Sequence, residues 1–475
     1  MSQILQRQGL NKRFVDIEII DAVTSIVPRS QARLIAPALA YEKSYWRQGP
    51  LHKEEVKYTE YFFLHKGRDD YSFLTGHLRL VLRHCKRNNI GINFSGDRPS
   101  KGIEQYMNEP NLDGITLRPD QNDLVQKALA GKRGVIKAPT RTGKTIIQYS
   151  IVSAFHRLNT LLLAHTKDLV DQLADEGERF GFNVVRCYGG NKDFDWAEYD
   201  QVVVMTRQTC ANLLKKGDFF PTPYFDIIIV DEAHHVSSPD GQYAYILSQI
   251  DAPVRFGFTA TLPDKTESKL SLEGYIGPMI GELTINEAIE KNILVKPKML
   301  ILKAPRIKIA VGTKYEDAYK RGITENRERN RLIAYTANEY IKRGSSALIL
   351  VNKIKHGENI ANALREISVP SHFVRGETES EIRNQIKKDL IDKRVMCVIA
   401  TVVWKEGVNI PTLNVCINAA GGKSEINTLQ SVGRSLTKVE GKKHATIVDF
   451  FDPSHHYLIS HFGERIILYM DQGWL

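Results

Sequence analysis

Residues 138–145 read APTRTGKT and residues 231–235 read DEAHH. The first run has the parts of a phosphate cradle. Gly143 lets the backbone approach a phosphate closely, the Lys144 ammonium can reach β- and γ-phosphates, and the Thr145 hydroxyl can sit on Mg2+. Pro139, Thr140, Arg141 and Thr142 complete the wrap. Ala138 stands where such loops begin with glycine, and alanine fits if that residue avoids a positive φ. The second run supplies carboxylates. Asp231 can hold Mg2+ through water, and Glu232 can orient or deprotonate an attacking water. An isolated Asp-Glu pair would serve equally well as a helix N-cap and first turn. His234 and His235 are adjacent and point apart, so they do not form a metal pair.

Both runs need elements to hold them. GVIKA before the loop is a short apolar run rich in β-branched residues, and TIIQYSIVSAFHRL after it has helical spacing. Strand, tight loop and helix give a helix N-terminus that points its N–H groups at an anion. FDIIIVDEAHHV, residues 225–236, reads as a buried parallel strand ending in carboxylates, which places them at the ligand crevice of an open α/β sheet. Strand–helix alternation fills roughly 105–265 and 295–455, predicting two doubly wound α/β lobes. The second lobe has no phosphate loop but carries Arg434, a cation able to stabilise charge developing on a γ-phosphate across a closing cleft.

The net charge of +10 suits a polyanionic partner, and its distribution is uneven. Residues 1–101 hold 17 Lys and Arg against 10 Asp and Glu, so most of the excess lies in the first fifth of the chain. There, LRLVLRHCKR spaces Leu78, Val81, Leu82 and Cys85 as a helix face with Arg79, Arg83, Lys86 and Arg87 between them. The preceding stretch, residues 40–67, predicts a strand pair around a Gly-Pro turn. Of its Tyr41, Tyr45, Trp46, Tyr58, Tyr61, Phe62 and Phe63, most are expected in the core, with one or two free to stack on a base. Five cysteines stand singly, which excludes a CxxC zinc site and fits reduced thiols in an intracellular protein. The N-terminus lacks a signal-peptide core and no run of about 18 apolar residues suggests a membrane span, so a cytoplasmic protein is expected.

Further segments, in order, make the chain resemble the superfamily 2 helicases and translocases. Leu117-Arg118-Pro119-Asp120-Gln121 resembles the LRPxQ element upstream of the loop, and Ala164-His165-Thr166-Lys167 resembles motif Ia. Thr206-Arg207-Gln208-Thr209 resembles motif Ib and Thr259-Ala260-Thr261 motif III. ALILVNKIKHGENIANAL resembles motif IV, Arg375-Gly376-Glu377-Thr378 the element after it, IATVVWKEGVNIPTLN motif V and QSVGRSLTK motif VI. The likeness covers residues 115 to about 450.

That resemblance implies two tandem RecA-like doubly wound lobes behind a small basic α+β domain, divided as 1–104, 105–285 and 286–475. It implies ATP and Mg2+ as cofactors, with Arg118 and Gln121 at the adenine and Glu406, Gly407, Gln430 and Arg434 completing the nucleotide site from the second lobe. It makes His234, Thr259 and Thr261 the coupling residues, leaving His235 incidental. Thr166, Lys167, Thr206, Arg207, Asn352, Lys353 and Thr401 would face nucleic-acid phosphates, giving sequence-tolerant, salt-dependent binding. Motif VI departs from the family's QxxGRxxR: Thr437 occupies the second arginine position, with Lys438 beside it. Either Arg434 suffices, or Lys438 reaches in, or hydrolysis is slow. The pattern is most similar to branch-migration helicases and their XPB and RecG relatives. A monomer acting on duplex, forked or four-way-junction DNA is therefore expected, with the motor of a larger assembly as the alternative.

Overall fold

The computed structural model describes residues 13–48, 53–155, 157–189, 200–216, 224–401, 410–422, 436–439, 442 and 444–475. By contacts these form two compact units: residues 1–137 with 145–282, and residues 283–475 with the loop 138–144.

The first unit opens with a five-stranded sheet built from β1 (Phe14–Ile19), β2 (Thr24–Pro28), β5 (His65–Lys66), β6 (Asp70–Leu74) and β7 (Gly91–Ser95), in the order β5-β6-β2-β1-β7. Its β1 alternates exposed and buried residues, the signature of a sheet with one face on the core. Between β2 and β5 a hairpin of two nine-residue strands, β3 (Ala40–Gln48) and β4 (Lys53–Tyr61), stands as a separate two-stranded ribbon. The basic helix Leu78–Arg87 buries Val81 and Cys85 but leaves Leu82 exposed.

Seven parallel strands follow: β8 (Arg133–Lys137), β9 (Thr160–Ala164), β10 (Asn183–Cys187), β11 (Gln201–Thr206), β12 (Ile227–Val230), β13 (Val254–Thr259) and β14 (Met279–Glu282). Their order is β10-β11-β9-β12-β13-β8-β14. β9, β11, β12 and β13 are buried at every position, as strands covered on both faces must be. The strand predicted over 225–236 is only four residues long, and its acids lie just beyond it.

This sheet and the N-terminal one share a single apolar core, in which Val15, Ile35, Phe73 and Val81 join Leu163, Val203, Val230 and Ile276. Polar links reinforce the join: His77 Nε2 meets Leu270 O at 2.8 Å, Ala22 N donates to Asp251, and Arg133 Nη1 donates to Ala22 O.

The second unit holds a six-stranded parallel sheet of β15 (Lys296–Lys303), β16 (Ala347–Leu350), β17 (His372–Val374), β18 (Cys397–Ala400), β19 (Val415–Asn418) and β20 (His444–Phe451), ordered β15-β20-β19-β16-β18-β17. Two buried ion pairs brace it. Arg329 donates to both oxygens of Asp452, at 2.7 and 3.2 Å, and to Ala419 O. Arg465 does the same with Asp449, at 2.7 and 3.0 Å, and reaches Gly422 O, while Tyr469 Oη donates to Asp449.

The aromatic residues of the hairpin correct an expectation. Tyr41 and Phe62 are buried, but Tyr45, Trp46, Tyr58 and Tyr61 are exposed, Trp46 at 67%. Alternating aromatics can form a core only if another layer covers the ribbon. Here the outer half of β3 has none.

Candidate nucleotide site and nucleic-acid edge

Parallel strands bring the segments that follow β8, β9, β11, β12 and β13 to the same sheet edge. The phosphate loop follows β8, the Thr259-Ala260-Thr261 turn ends β13, Asp231 and Glu232 follow β12, His165-Thr166-Lys167 follow β9, and Thr206-Arg207 end β11. The strand order β11-β9-β12-β13-β8 lays them out in that sequence along the carboxyl edge, the ligand side of an open α/β sheet.

The loop's left-handed residues are Arg141 (φ +74°) and Gly143 (φ +85°); Ala138 is fully buried and has no positive φ, so alanine is tolerated there. The Thr142 hydroxyl donates to Pro139 O at 2.8 Å, and Lys144 Nζ lies 3.4 Å from Ala138 O, tying the loop's start to its end. Lys144 opens the helix Lys144–Ser153, with Thr145 beside it. Upstream, Gln121 is buried and its side chain accepts from Arg118 N at 3.1 Å, while Arg118 forms a two-point pair with Asp120.

Asp231 and Glu232 are 7% and 8% exposed. Asp231 takes its place through Asp231 N donating to Leu163 O, and its Oδ1 accepts from Gln148 Nε2 at 3.0 Å. Gln148 lies four residues beyond Lys144 on the same helix face; that spacing was the available signal for it. Asp231 is no helix cap. Glu232 instead adopts φ +48°, ψ +52° at the start of a short 3₁₀ turn and makes no capping bond. Such a conformation in a non-glycine residue costs about 1 kcal/mol or more and is tolerated where function fixes it.

His234 is buried, with Nδ1 3.1 Å from Thr259 Oγ1 and 3.4 Å from Glu232 Oε2. Thr259 Oγ1 donates to Thr261 O at 2.7 Å, so the three expected coupling residues form one hydrogen-bonded chain. His235, expected to be incidental, stacks on His165 with centroids 4.1 Å apart and planes 9° off parallel. It also lies parallel to Tyr243 at 6.4 Å, and Arg207 lies over the Tyr243 ring. Rings thus link the acidic turn to two neighbouring motifs, a contact that neither local periodicity nor spacing reveals.

Thr166 caps the helix Lys167–Arg179 by accepting from Leu169 N, and Lys167 Nζ lies over Tyr188. Thr206 is buried and its hydroxyl donates to Thr209. In the second unit, Asn352 and the exposed Lys353 follow β16, and Thr401, buried, ends β18. Arg79, Arg83, Lys86 and Arg87 are all exposed on their helix. Glu406, Gly407, Gln430 and Arg434 lie outside the described residues. Thr437 pairs as an isolated bridge with Leu294, and Lys438 is exposed.

Two parallel-sheet lobes, with a phosphate loop after β8 and acids after β12, are the architecture of a nucleotide-binding enzyme. Residues 114–264 match the family described as type III restriction enzyme, res subunit, and residues 329–436 match the helicase conserved C-terminal domain. The ATP-dependent DNA helicase uvsW of Enterobacteria phage T4 is 26% identical over 386 residues, covering 74% of each chain. The DNA 3'-5' translocase XPB2 of Sulfurisphaera tokodaii is 24% identical over 374 residues, 71% of this chain and 82% of that protein. The solved ATP-dependent type ISP restriction-modification enzyme LlaBIII bound to DNA shares the fold, with a TM-score of 0.58 at 16% identity over 82% of this chain and 32% of its own. The chain belongs to the superfamily 2 helicases and is an ATP-dependent enzyme of that group.

Proposed function

We propose that the protein is a DNA motor that remodels forked or branched DNA. The alignment of the motifs that follow β8, β9, β11, β12 and β13 along one carboxyl edge supports this reading, because a nucleotide site and a phosphate-facing strip would then share that edge. Lys144 binds the β- and γ-phosphates, Glu232 orients the attacking water, and Arg118 and Gln121 flank the adenine. Thr145 and Asp231 offer the hard oxygen donors that Mg2+ takes, and the ion, when bound, neutralises phosphate charge. Gln148 holds Asp231 in place by its hydrogen bond. By the family resemblance Glu406, Gly407 and Gln430 contact nucleotide and Arg434 stabilises the transferring phosphoryl group. Arg434→Ala should keep ATP binding and lose turnover; a variant that loses binding alone would refute the role.

DNA contacts come from Thr166, Lys167, Thr206, Arg207, Asn352, Lys353 and Thr401, with the basic helix of residues 1–104 adding Arg79, Arg83, Lys86 and Arg87. These are backbone contacts, so affinity falls steeply with salt. The named activity of the phage T4 relative supports DNA over RNA, and a monomer suffices for the task. The test is ATP-dependent dissociation of a synthetic four-way DNA junction, with Lys144→Ala as control. Resolution into two duplexes by the wild type alone supports the reading.

A second reading is favoured by the restriction-enzyme family match and by the LlaBIII neighbour, of which this chain spans about a third. It makes the chain a translocating motor of a larger assembly. DNA-stimulated ATP hydrolysis with an intact junction would select it.

A further inference from the structure

The first unit contains a cavity that the motor motifs do not use. It lies between the basic helix, the edge strand β7 and the loops flanking β13 and β14, and has a volume of about 550 Å³. Leu78, Leu82, Phe94 and Ile280 give it an apolar lining. Its charged lining residues among the described ones are Arg79, Arg98, Lys132 and Arg133, all cations.

Phe94 pairs in register with the buried Ile17 and so lies on the same face of the sheet, but β7 is the edge strand among the described residues and leaves Phe94 48% exposed. Two residues on, Gly96 at φ +80° folds the chain so tightly against β1 that a Cβ there would lie 2.1 Å from Ile19 O. That turn brings Arg98 onto the cavity.

Among the described residues Arg133 has no counterion. Its Nε and Nη1 donate to the carbonyls of Ile276 and Ala22, and Nη2 is buried with no acceptor among the described residues. Burial, with Arg255 nearby, depresses its pKa to about 9, the mark of a cation whose surroundings lack an anion. Lys132 is matched by Glu104 at 2.6 Å, and Arg98 forms no ion pair among the described residues.

We propose that this cavity takes one unstacked nucleotide of a DNA strand, its base against Phe94 and its phosphate toward Arg79 and Arg98. The inference rests on the DNA-motor reading and names a further contact for it. A planar apolar group joined to an anion is what this mixed apolar and cationic lining fits. Arg79 also belongs to the row Arg79, Arg83 and Lys86, which at helical spacing lines one exposed face and leads to the cavity. A row of cations continuous with the cavity fits a repeating phosphate backbone better than a single anionic side chain.

The experiment uses the full chain without nucleotide and three labelled duplexes: fully paired, with one unpaired thymidine, and with an abasic residue in its place. Dissociation constants are measured by anisotropy. The wild type should bind the unpaired base about tenfold more tightly than the abasic form, the scale of one stacked base. Phe94→Ala should erase that preference while binding paired duplex as the wild type does, Phe94→Trp should restore it, and Arg98→Ala should weaken the bulged duplex most. A Phe94→Ala protein that keeps the preference, or a wild type that binds paired DNA without one, overturns the cavity while leaving the motor reading intact. A wild type that binds none of the duplexes overturns the motor reading and the cavity with it. An acidic aromatic peptide that binds the cavity where the bulged duplex does not assigns it to a protein partner and overturns the proposal.

Discussion

The two parallel sheets handle buried charge in opposite ways. In the second unit, Asp449 and Asp452 each accept two bonds from a buried arginine. In the first, the buried Arg255 spends its hydrogen bonds on the carbonyls of Ala252, Leu247, Tyr275 and Ile250, with Asp251 and Asp21 acting on it only through their charge. Among the described residues, the first unit's Asp231 accepts from Gln148 and Glu232 lies beside His234, both just past the end of β12. A carboxylate locked to a guanidinium is scaffold; one at the carboxyl edge of an open sheet is placed for chemistry. The difference distinguishes structural from chemical acids within a single fold.

Charge-neutral substitutions break or sharpen that contrast. The largest effect is expected at Glu232→Gln, which should lower steady-state phosphate release by about 10²–10⁴-fold, the usual range for a positioned base. A loss below tenfold would make Glu232 another structural acid. Asp449→Asn should do the opposite, costing about 3–5 kcal/mol in urea unfolding because Arg465 is left buried and poorly paired, with turnover per folded molecule unchanged.

His77 tests the carbonyl-held side of the comparison by pH. Burial depresses its pKa to about 4, and its ring meets Leu270 O across the shared core. The unfolded chain, with an ordinary histidine near 6.5, binds the proton more readily. The neutral ring's contribution is thus complete above pH 6.5 and falls as pH drops toward 4. From pH 6.5 to 5 the first unit should lose about 2 kcal/mol by urea titration, a loss that His77→Gln should remove.

The smallest effect is expected at His235→Ala. Removing a ring between motifs should lower the ratio of DNA-stimulated to basal ATP hydrolysis by a few-fold, the scale of about 0.5–2 kcal/mol of coupling, with basal hydrolysis retained. An unchanged ratio would return His235 to a packing role.

Much of the chemical edge was legible because its signals are local. A loop after an apolar run and acids after four buried isoleucines and valines need no distant partner to be read. The alternation of strands and helices gave both parallel sheets for the same reason. What stayed hidden depends on residues far apart: the Arg329–Asp452 pair spans 123 positions, and the His165–His235 stack exists only because β9 and β12 are neighbours. The hairpin aromatics misled because a strand's alternation says which residues share a face, not whether anything covers it. Pocket-forming residues such as Phe94 and Arg98 carry no motif, and only the tight turn at Gly96 brings them together.

The core shared by the N-terminal sheet and the first parallel sheet bears on how this chain can be cut and recombined. A fragment begun at residue 105 would bare the apolar patch that Val15, Ile35, Phe73 and Val81 now cover, and should precipitate rather than behave as a minimal motor. Swapping this front piece between relatives would require moving the matching surface beneath it. The basic segment is heritable only together with its engine, and protein engineers should treat residues 13–282 as one graft.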